Sequence, residues 1–295
     1  MAERRLTVAP SGITLGGIGD EAAPDLAGQI EAHTRLGWSA IELRNVDGHA
    51  LADLGDGAFE QARDAIVAAG LRVTCVDSRI ANWGRPISGN LGADVAELAT
   101  LAPRCRALGT RYVRIMSYPN DGLTAAQWGA EVVRRIRLLA AQAADEGLVL
   151  LHENCAGWAG ESAERTLRLL DAVQSPALRL VFDIGNGLAY GYQGYDFLTQ
   201  VVDAVAHVHV KDGVDRAGVP VWTGPGDGDC RVADCLRLLA DRNWTGVCSI
   251  EPHLNVQPHA GVTDAGAAGK DAFVAYGRRL EELLRTADPR LRVRT

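Results

Sequence analysis

The sequence predicts an α/β protein built as a single (β/α)8 TIM barrel over residues 1–295, with its active site at the C-terminal ends of the strands. Short apolar runs ending in polar residues alternate along the whole length with longer stretches of helical periodicity rich in alanine, leucine and arginine. There are eight such runs, about one every 35 residues, which suits a closed barrel better than an open doubly wound sheet. No stretch rich in proline, serine or glycine is long enough to divide the chain.

The strands fall at 13–16, 40–44, 72–77, 112–116, 148–153, 178–183, 206–211 and 247–251. Amphipathic stretches at 25–36, 57–69, 94–108, 125–146, 162–173, 197–204, 232–242 and 271–286 supply the helices between and after them. Gly37, Gly70, Gly109 and Gly147 each follow a helical stretch and lead into the next strand, where a left-handed cap suits glycine. The glycine-rich segment 224–229 reads as a loop after the seventh strand that shapes the barrel mouth.

Composition narrows the function. With 30 basic and 37 acidic side chains the formal charge is −7, and apart from scattered arginines such as Arg134, Arg135 and Arg137 no basic stretch offers a nucleic acid a footing. No window approaches the roughly 20 apolar residues of a membrane helix, and residues 1–10 lack the apolar core of a signal peptide, so a cytoplasmic protein is expected. The six cysteines are dispersed without a CxxC pair and read as free, mostly buried thiols.

Four residues at strand ends carry the chemistry: Glu153, Asp183, His209 and Glu251, ending strands five to eight. Side chains alternate with period two, so Leu151 shares a face with Glu153, Val181 with Asp183, His207 and Lys211 with His209, and Ser249 with Glu251. If those faces point inward, three carboxylates and one imidazole converge. A single strand-end carboxylate often serves only as a helix cap, but four ligand-type residues on consecutive strands point to a shared site. Uncompensated, the carboxylates would repel and one would take up a proton; a divalent ion removes the conflict. The oxygen-rich set suits one Mn²⁺ first, with Mg²⁺, Co²⁺ or Zn²⁺ as alternatives.

The segments His152-Glu-Asn154, Phe182-Asp-Ile-Gly-Asn186, His207-Val-His-Val-Lys-Asp212, Gly224-Pro-Gly-Asp-Gly-Asp229 and Asn243-Trp-Thr-Gly-Val-Cys-Ser-Ile-Glu-Pro-His253 resemble the xylose-isomerase-like barrels of the sugar phosphate isomerase/epimerase superfamily. The segment Gly37-Trp-Ser-Ala-Ile-Glu-Leu-Arg44 supports the same resemblance more weakly. The resemblance implies that Glu153, Asp183, His209 and Glu251 are the metal ligands, and that the two glutamates form the acid/base pair. It departs from the ketose epimerases at Asn186, where they carry histidine, and at Ala159, where they carry glutamate. Both positions handle substrate hydroxyls in the family, so a substrate outside the free ketoses is expected, such as a modified or oxidised sugar. The related abasic-site endonucleases have a histidine-rich trinuclear zinc site and a basic face; seven histidines and a charge of −7 argue against that use.

The expected activity is a metal-dependent isomerase or epimerase of a carbohydrate or polyol-derived carbonyl compound, working by proton abstraction to a metal-stabilised enediolate, with Glu153 and Glu251 on opposite faces of one carbon. The alternative is a dehydratase or lyase acting on a keto-sugar or keto-inositol. Asn186, Lys211, His253, Arg114 and Trp158 are the candidate substrate contacts. Arg114, inside a strand, needs an anionic partner, and Glu42 or Asp77 comes before a substrate anion. Lys211 either pairs with Asp212, holds a substrate oxygen or serves a purely structural role, and His207, deeper in its strand, reads as a satisfied core histidine. Trp83, Trp158 and Trp222 fall in loops after strands and either line the mouth or cover the helix layer. The partner is thus a small carbohydrate-type molecule, with neither nucleic acid nor membrane, and self-association into a homo-oligomer is compatible with the sequence.

Overall fold

The computed structural model describes residues 12–256, 261, 266, 268–288 and 292–294. The eight barrel strands are β1 (Gly12–Gly17), β2 (Ala40–Leu43), β3 (Arg72–Asp77), β4 (Tyr112–Ser117), β5 (Val149–Gly157), β6 (Leu178–Asp183), β7 (Val205–Val210) and β8 (Val247–Ile250). All neighbouring pairs from β2 through β8 and back to β1 are parallel. The remaining seam, between β1 and β2, is joined by a parallel bridge from Ile18 to Glu42. Beside it, residues Arg292–Arg294 add a parallel strand to the lower half of β1.

The main helices are α1 (Leu26–Leu36), α2 (Asp56–Ala68), α3 (Leu91–Leu108), α4 (Ala125–Asp145), α5 (Ala163–Val173), α6 (Gly194–Val201), α7 (Val232–Asp241) and α8 (Gly269–Ala287). The four glycines expected after helices all take left-handed backbone, with φ between 69° and 72°. α3 starts earlier than its hydrophobic pattern because Asn90 accepts a hydrogen bond from the Gly92 amide and nucleates the turn. α6 lies earlier than expected, and the residues read as its end form a separate 3-10 turn, Val202–Ala204.

Inside the barrel, Cys75, Leu151 and Val181 pack together above Tyr112, Val149 and Ala206, so the inward parity of the strands is the expected one. The outward-facing residues, such as Leu150, Val208 and Cys248, meet the helices in two larger apolar layers. All six cysteines are free, and five are buried. No helix among the described residues is long and apolar enough to cross a membrane.

One element absent from the sequence reading sits at the mouth. Strands Asp212–Arg216 and Val219–Thr223 form an antiparallel hairpin in the stretch read as loop. Its two-residue turn, Ala217 and Gly218, has φ of 56° and 85°. Both positive values fit the twist of a tight hairpin, but alanine in the first position hides the usual turn signature.

Candidate active site

Glu153, Asp183, His209 and Glu251 converge at the C-terminal end of the barrel, all buried, with one donor atom from each within 4.8 Å of the others. Register explains the convergence: Glu153 lies beside Val181, Asp183 beside His209, and His209 beside Ser249, which stands two residues before Glu251. Each inward side chain is therefore stacked at a similar height above the apolar plug.

Glu42, at the end of β2, orients the imidazole. His209 donates from Nε2 to Glu42 Oε1 at 3.1 Å, which turns Nδ1 toward the carboxylates, 3.8 Å from Glu153 Oε1 and 3.8 Å from Glu251 Oε2. Nδ1 is buried without a hydrogen-bond partner. A ring nitrogen aimed at three carboxylates, with the other nitrogen tied to a fourth, is the arrangement by which proteins hold a metal-ligating histidine. The donor set therefore fits a divalent cation. Burial opposes a charge on His209, but Glu42, Glu153 and Glu251 outweigh it and raise the imidazole well above its ordinary range, so a metal ion and a proton compete for Nδ1. Glu42 also accepts from His207 Nε2 at 2.8 Å, and Ser249 Oγ lies 3.1 Å from the same nitrogen.

Cations surround the quartet. Lys211 Nζ lies 2.8 Å from Asp183 Oδ2 and 2.9 Å from Glu251 Oε2. Arg44 reaches Glu251 Oε1 at 3.0 Å while also pairing with Asp20 and Glu21. Arg114 lies 3.4 Å from Asp77 and 3.5 Å from Glu153. Burial acts against ionising Glu153, but Arg114 and His209 outweigh it and bring the carboxyl down to about 2. Glu251 is likewise held well below the usual range against its burial, first by Lys211. For Asp183 burial wins, and its carboxyl is pushed up to about 7.

The family model described as xylose isomerase-like TIM barrel matches residues 30–272. The chain belongs to that family. The xylose isomerase-like barrel is 27% identical over 131 residues to an inosose dehydratase of Clostridium perfringens, a match covering 38% of this chain and 43% of that protein. It is 30% identical over 135 residues to a 2-epi-5-epi-valiolone 7-phosphate 2-epimerase of an Actinoplanes species, covering 45% and 48%. The match thus spans less than half the length of either relative. Among solved structures, an IOLI protein with a bound zinc atom superposes with a TM-score of 0.73 at 16% identity, covering 94% of this chain and 99% of the other.

The other residues singled out in the sequence of this xylose isomerase-like barrel divide clearly. Asn186 Nδ2 donates to Glu153 Oε1 at 3.0 Å, and its backbone amide donates to Asp183 Oδ1 at 2.8 Å. His253 donates through its backbone amide and Nδ1 to Glu21 at 3.0 and 3.1 Å, with Nε2 3.9 Å from Glu251. Trp222, on the hairpin, stands edge-on to His253 at 5.5 Å, with Lys211 Nζ 5.3 Å from its ring centre. Trp158 is not brought to this cluster: its indole packs toward Gly129 of α4 under Arg168 of α5, in the helix layer. Trp83 is half-buried in the loop after β3. Lys211 turns inward to Asp183 and Glu251, so it does not pair with Asp212. The Asp212 carboxylate faces the glycine-rich loop instead, accepting from the amides of Gly226, Gly228 and Cys230.

Sequence reasoning assigned no site role to Arg44, Glu42, Asp20 or Glu21. Glu42 and Arg44 do carry a signal, since both are charged residues in an apolar strand end, Ile41-Glu-Leu-Arg44. Asp20 and Glu21 lie in a 3-10 turn after β1 with no pattern of their own.

Proposed function

We propose that this barrel is a divalent-metal-dependent isomerase or epimerase of a carbohydrate or polyol-derived carbonyl compound. The observation that supports it most is the quartet itself, with His209 Nδ1 presented to three carboxylates by Glu42. Glu153, Asp183, His209 and Glu251 would hold the ion, Mn²⁺ first and Mg²⁺, Co²⁺ or Zn²⁺ as alternatives. When bound, a divalent ion supplies Lewis acidity, drawing electron density from a substrate carbonyl and acidifying the neighbouring C–H.

The chain's own groups do the rest. Glu153 and Glu251 project from β5 and from the end of β8, where one carboxylate can take a proton from a carbon and the other return one to its opposite face. Their held-down pKa values keep both ionised at neutral pH. Asn186 fixes the rotamer of Glu153, and Arg44 and Lys211 together fix Glu251. Trp222 and His253 form a wall beside Lys211 that narrows access for water. Asn186 and Ala159 support a substrate outside the free ketoses, such as a modified or oxidised sugar.

A dehydratase or lyase is the second reading, and Lys211 favours it: an ammonium 2.9 Å from Glu251 is placed to assist a departing hydroxyl. One experiment separates the two. The protein is incubated in D₂O with keto-sugars and keto-inositols, with Mn²⁺, Mg²⁺, Co²⁺ or Zn²⁺ in turn or with a chelator. Metal-dependent deuterium incorporation without loss of water identifies the epimerase, and an unsaturated or diketo product identifies the lyase. Absence of both from every substrate with each of the four metals would overturn the reading. Glu153→Gln and Glu251→Gln should each lower exchange by about 10² to 10⁴-fold while metal remains bound.

A further inference from the structure

The end of the barrel opposite the carboxylates is basic. Three exposed arginines stand at strand starts there: Arg72 opens β3, Arg111 immediately precedes β4, and Arg179 is the second residue of β6. Two hollows of about 550 and 490 Å³ adjoin at this face, sharing Arg111 and Tyr112 in their walls. The first also takes in Arg179 and Arg242, the second Arg72 and Arg106.

These five arginines fall into two kinds. Arg106 and Arg242, at helix ends, are neutralised by Glu146 and Asp203 at 2.7 Å each, and their position also suits the negative end of a helix dipole. The three at strand starts gain neither compensation: among the described residues no carboxylate lies within 4.0 Å of Arg72, Arg111 or Arg179. Arg111 instead sits 5.2 Å over the Tyr112 ring and donates to its hydroxyl at 3.2 Å. Arg179 donates to the carbonyls of Ala204 and Asp203 at 3.1 Å, which fixes its guanidinium at the rim.

On a chain of net charge −7, three guanidinium groups around one opening with no carboxylate beside them among the described residues are a concentration of positive charge. Their forked donors match phosphoryl oxygens. Arg111, in the wall of both adjoining hollows, can bridge two linked phosphoryl units seated one on each side of it. We propose that the N-terminal face of the barrel is a binding site for a diphosphate group, either free or as the end of a larger phosphorylated molecule. The site is independent of the metal quartet and of the reaction assigned to it.

Titration calorimetry with inorganic diphosphate, and in parallel with ADP, tests it on the full chain. Saturable binding with a Kd of about 0.1 mM is expected, weakening about tenfold for each arginine removed in Arg72→Gln and Arg111→Gln. Both side chains are exposed, and Arg111 touches only the half-buried Tyr112 beside it, so circular dichroism should show both variants folded. Equal affinity for the two ligands identifies the free oxyanion, and tighter ADP binding the end of a larger molecule. Because diphosphate chelates metals, Asp183→Asn serves as the control and should leave the binding intact. Binding lost in Asp183→Asn but kept in the arginine variants, or heats reproduced by sodium chloride at equal ionic strength, would overturn the proposal.

Discussion

Glu42 and His209 form a 3.1 Å hydrogen bond between two fully buried side chains, and that bond decides which imidazole nitrogen faces the carboxylate cluster. Glu42 is held well below the usual carboxylate range against its burial, first by His207 and then by His209, so it stays an acceptor. In Glu42→Gln the amide is a weaker acceptor that can also turn its NH₂ toward the ring, releasing the tautomer. Affinity for Mn²⁺ should fall by about tenfold to a hundredfold, measured by competition with a fluorescent chelator, while the melting curve stays cooperative. Unchanged affinity would show that His209 is oriented by other contacts.

Lys211 carries charge for two carboxylates at once. Replacing it with methionine leaves Asp183 and Glu251 without their shared ammonium, and breaking a buried pair on one side costs about 3–5 kcal/mol. In urea titrations the loss should be large with chelator present and smaller with saturating Mn²⁺, which supplies positive charge to the same oxygens. A loss of the same size in both conditions would mean that Lys211 and the metal do not share those partners.

All eight units and the inward parity were legible because each apolar run is short, bounded and followed by an amphipathic stretch, although β5 runs on past its expected end at 153 to Gly157. The four ligand-type residues stood out because they fall at or near the C-terminal ends of four consecutive apolar runs, whereas Arg179 sits at the start of its run. Arg44 was less visible: its worth comes from Asp20 and Glu21, which follow β1, and from Glu251, which follows β8. Long-range pairing of that kind leaves no periodic trace. Trp158 misled for the converse reason. Its place just after β5 suggested the mouth, but Gly129 on α4 leaves a gap that only a large ring fills, with a Cβ there meeting the indole at 2.7 Å. The hairpin carrying Trp222 was hidden by Ala217 at positive φ.

His33 provides a pH test away from the site. Buried between the carbonyls of Gln29 and Gly17, it is held below the ordinary imidazole range by that burial. The unfolded chain therefore binds a proton first as pH falls, and the stability present above about pH 6.5 is lost as the pH drops below it. In His33→Gln this acid-side slope should flatten, at a cost of about 1 kcal/mol at pH 8, read from urea midpoints between pH 5 and 8. An unchanged slope would place the titration elsewhere.

Gly160 should tolerate no side chain. A Cβ there would sit 1.9 Å from the Cys155 carbonyl oxygen, a backbone atom that cannot turn aside. Gly160→Ala is expected to cost about 3 kcal/mol. Gly109→Ala, left-handed at φ 72° but with open space around it, should cost about 1 kcal/mol. Equal losses in urea melts would contradict the steric account.

The neighbours of β1 bear on how the molecule assembles. Thr14 is paired on one side with Val247 and on the other with Arg294, so the ladder partners of the first strand lie in segments past residue 246, while the bridge from Ile18 to Glu42 ties its upper end to β2. The run from β2 to β7 can meanwhile pair each strand with the next as it emerges during synthesis. Closure of the ring is then a late event of high sequence separation, and until it happens the edge of β1 from Thr14 to Gly17 lacks its partner strand β8. The slow step of folding, and the moment of greatest exposure to aggregation, should therefore lie at this seam.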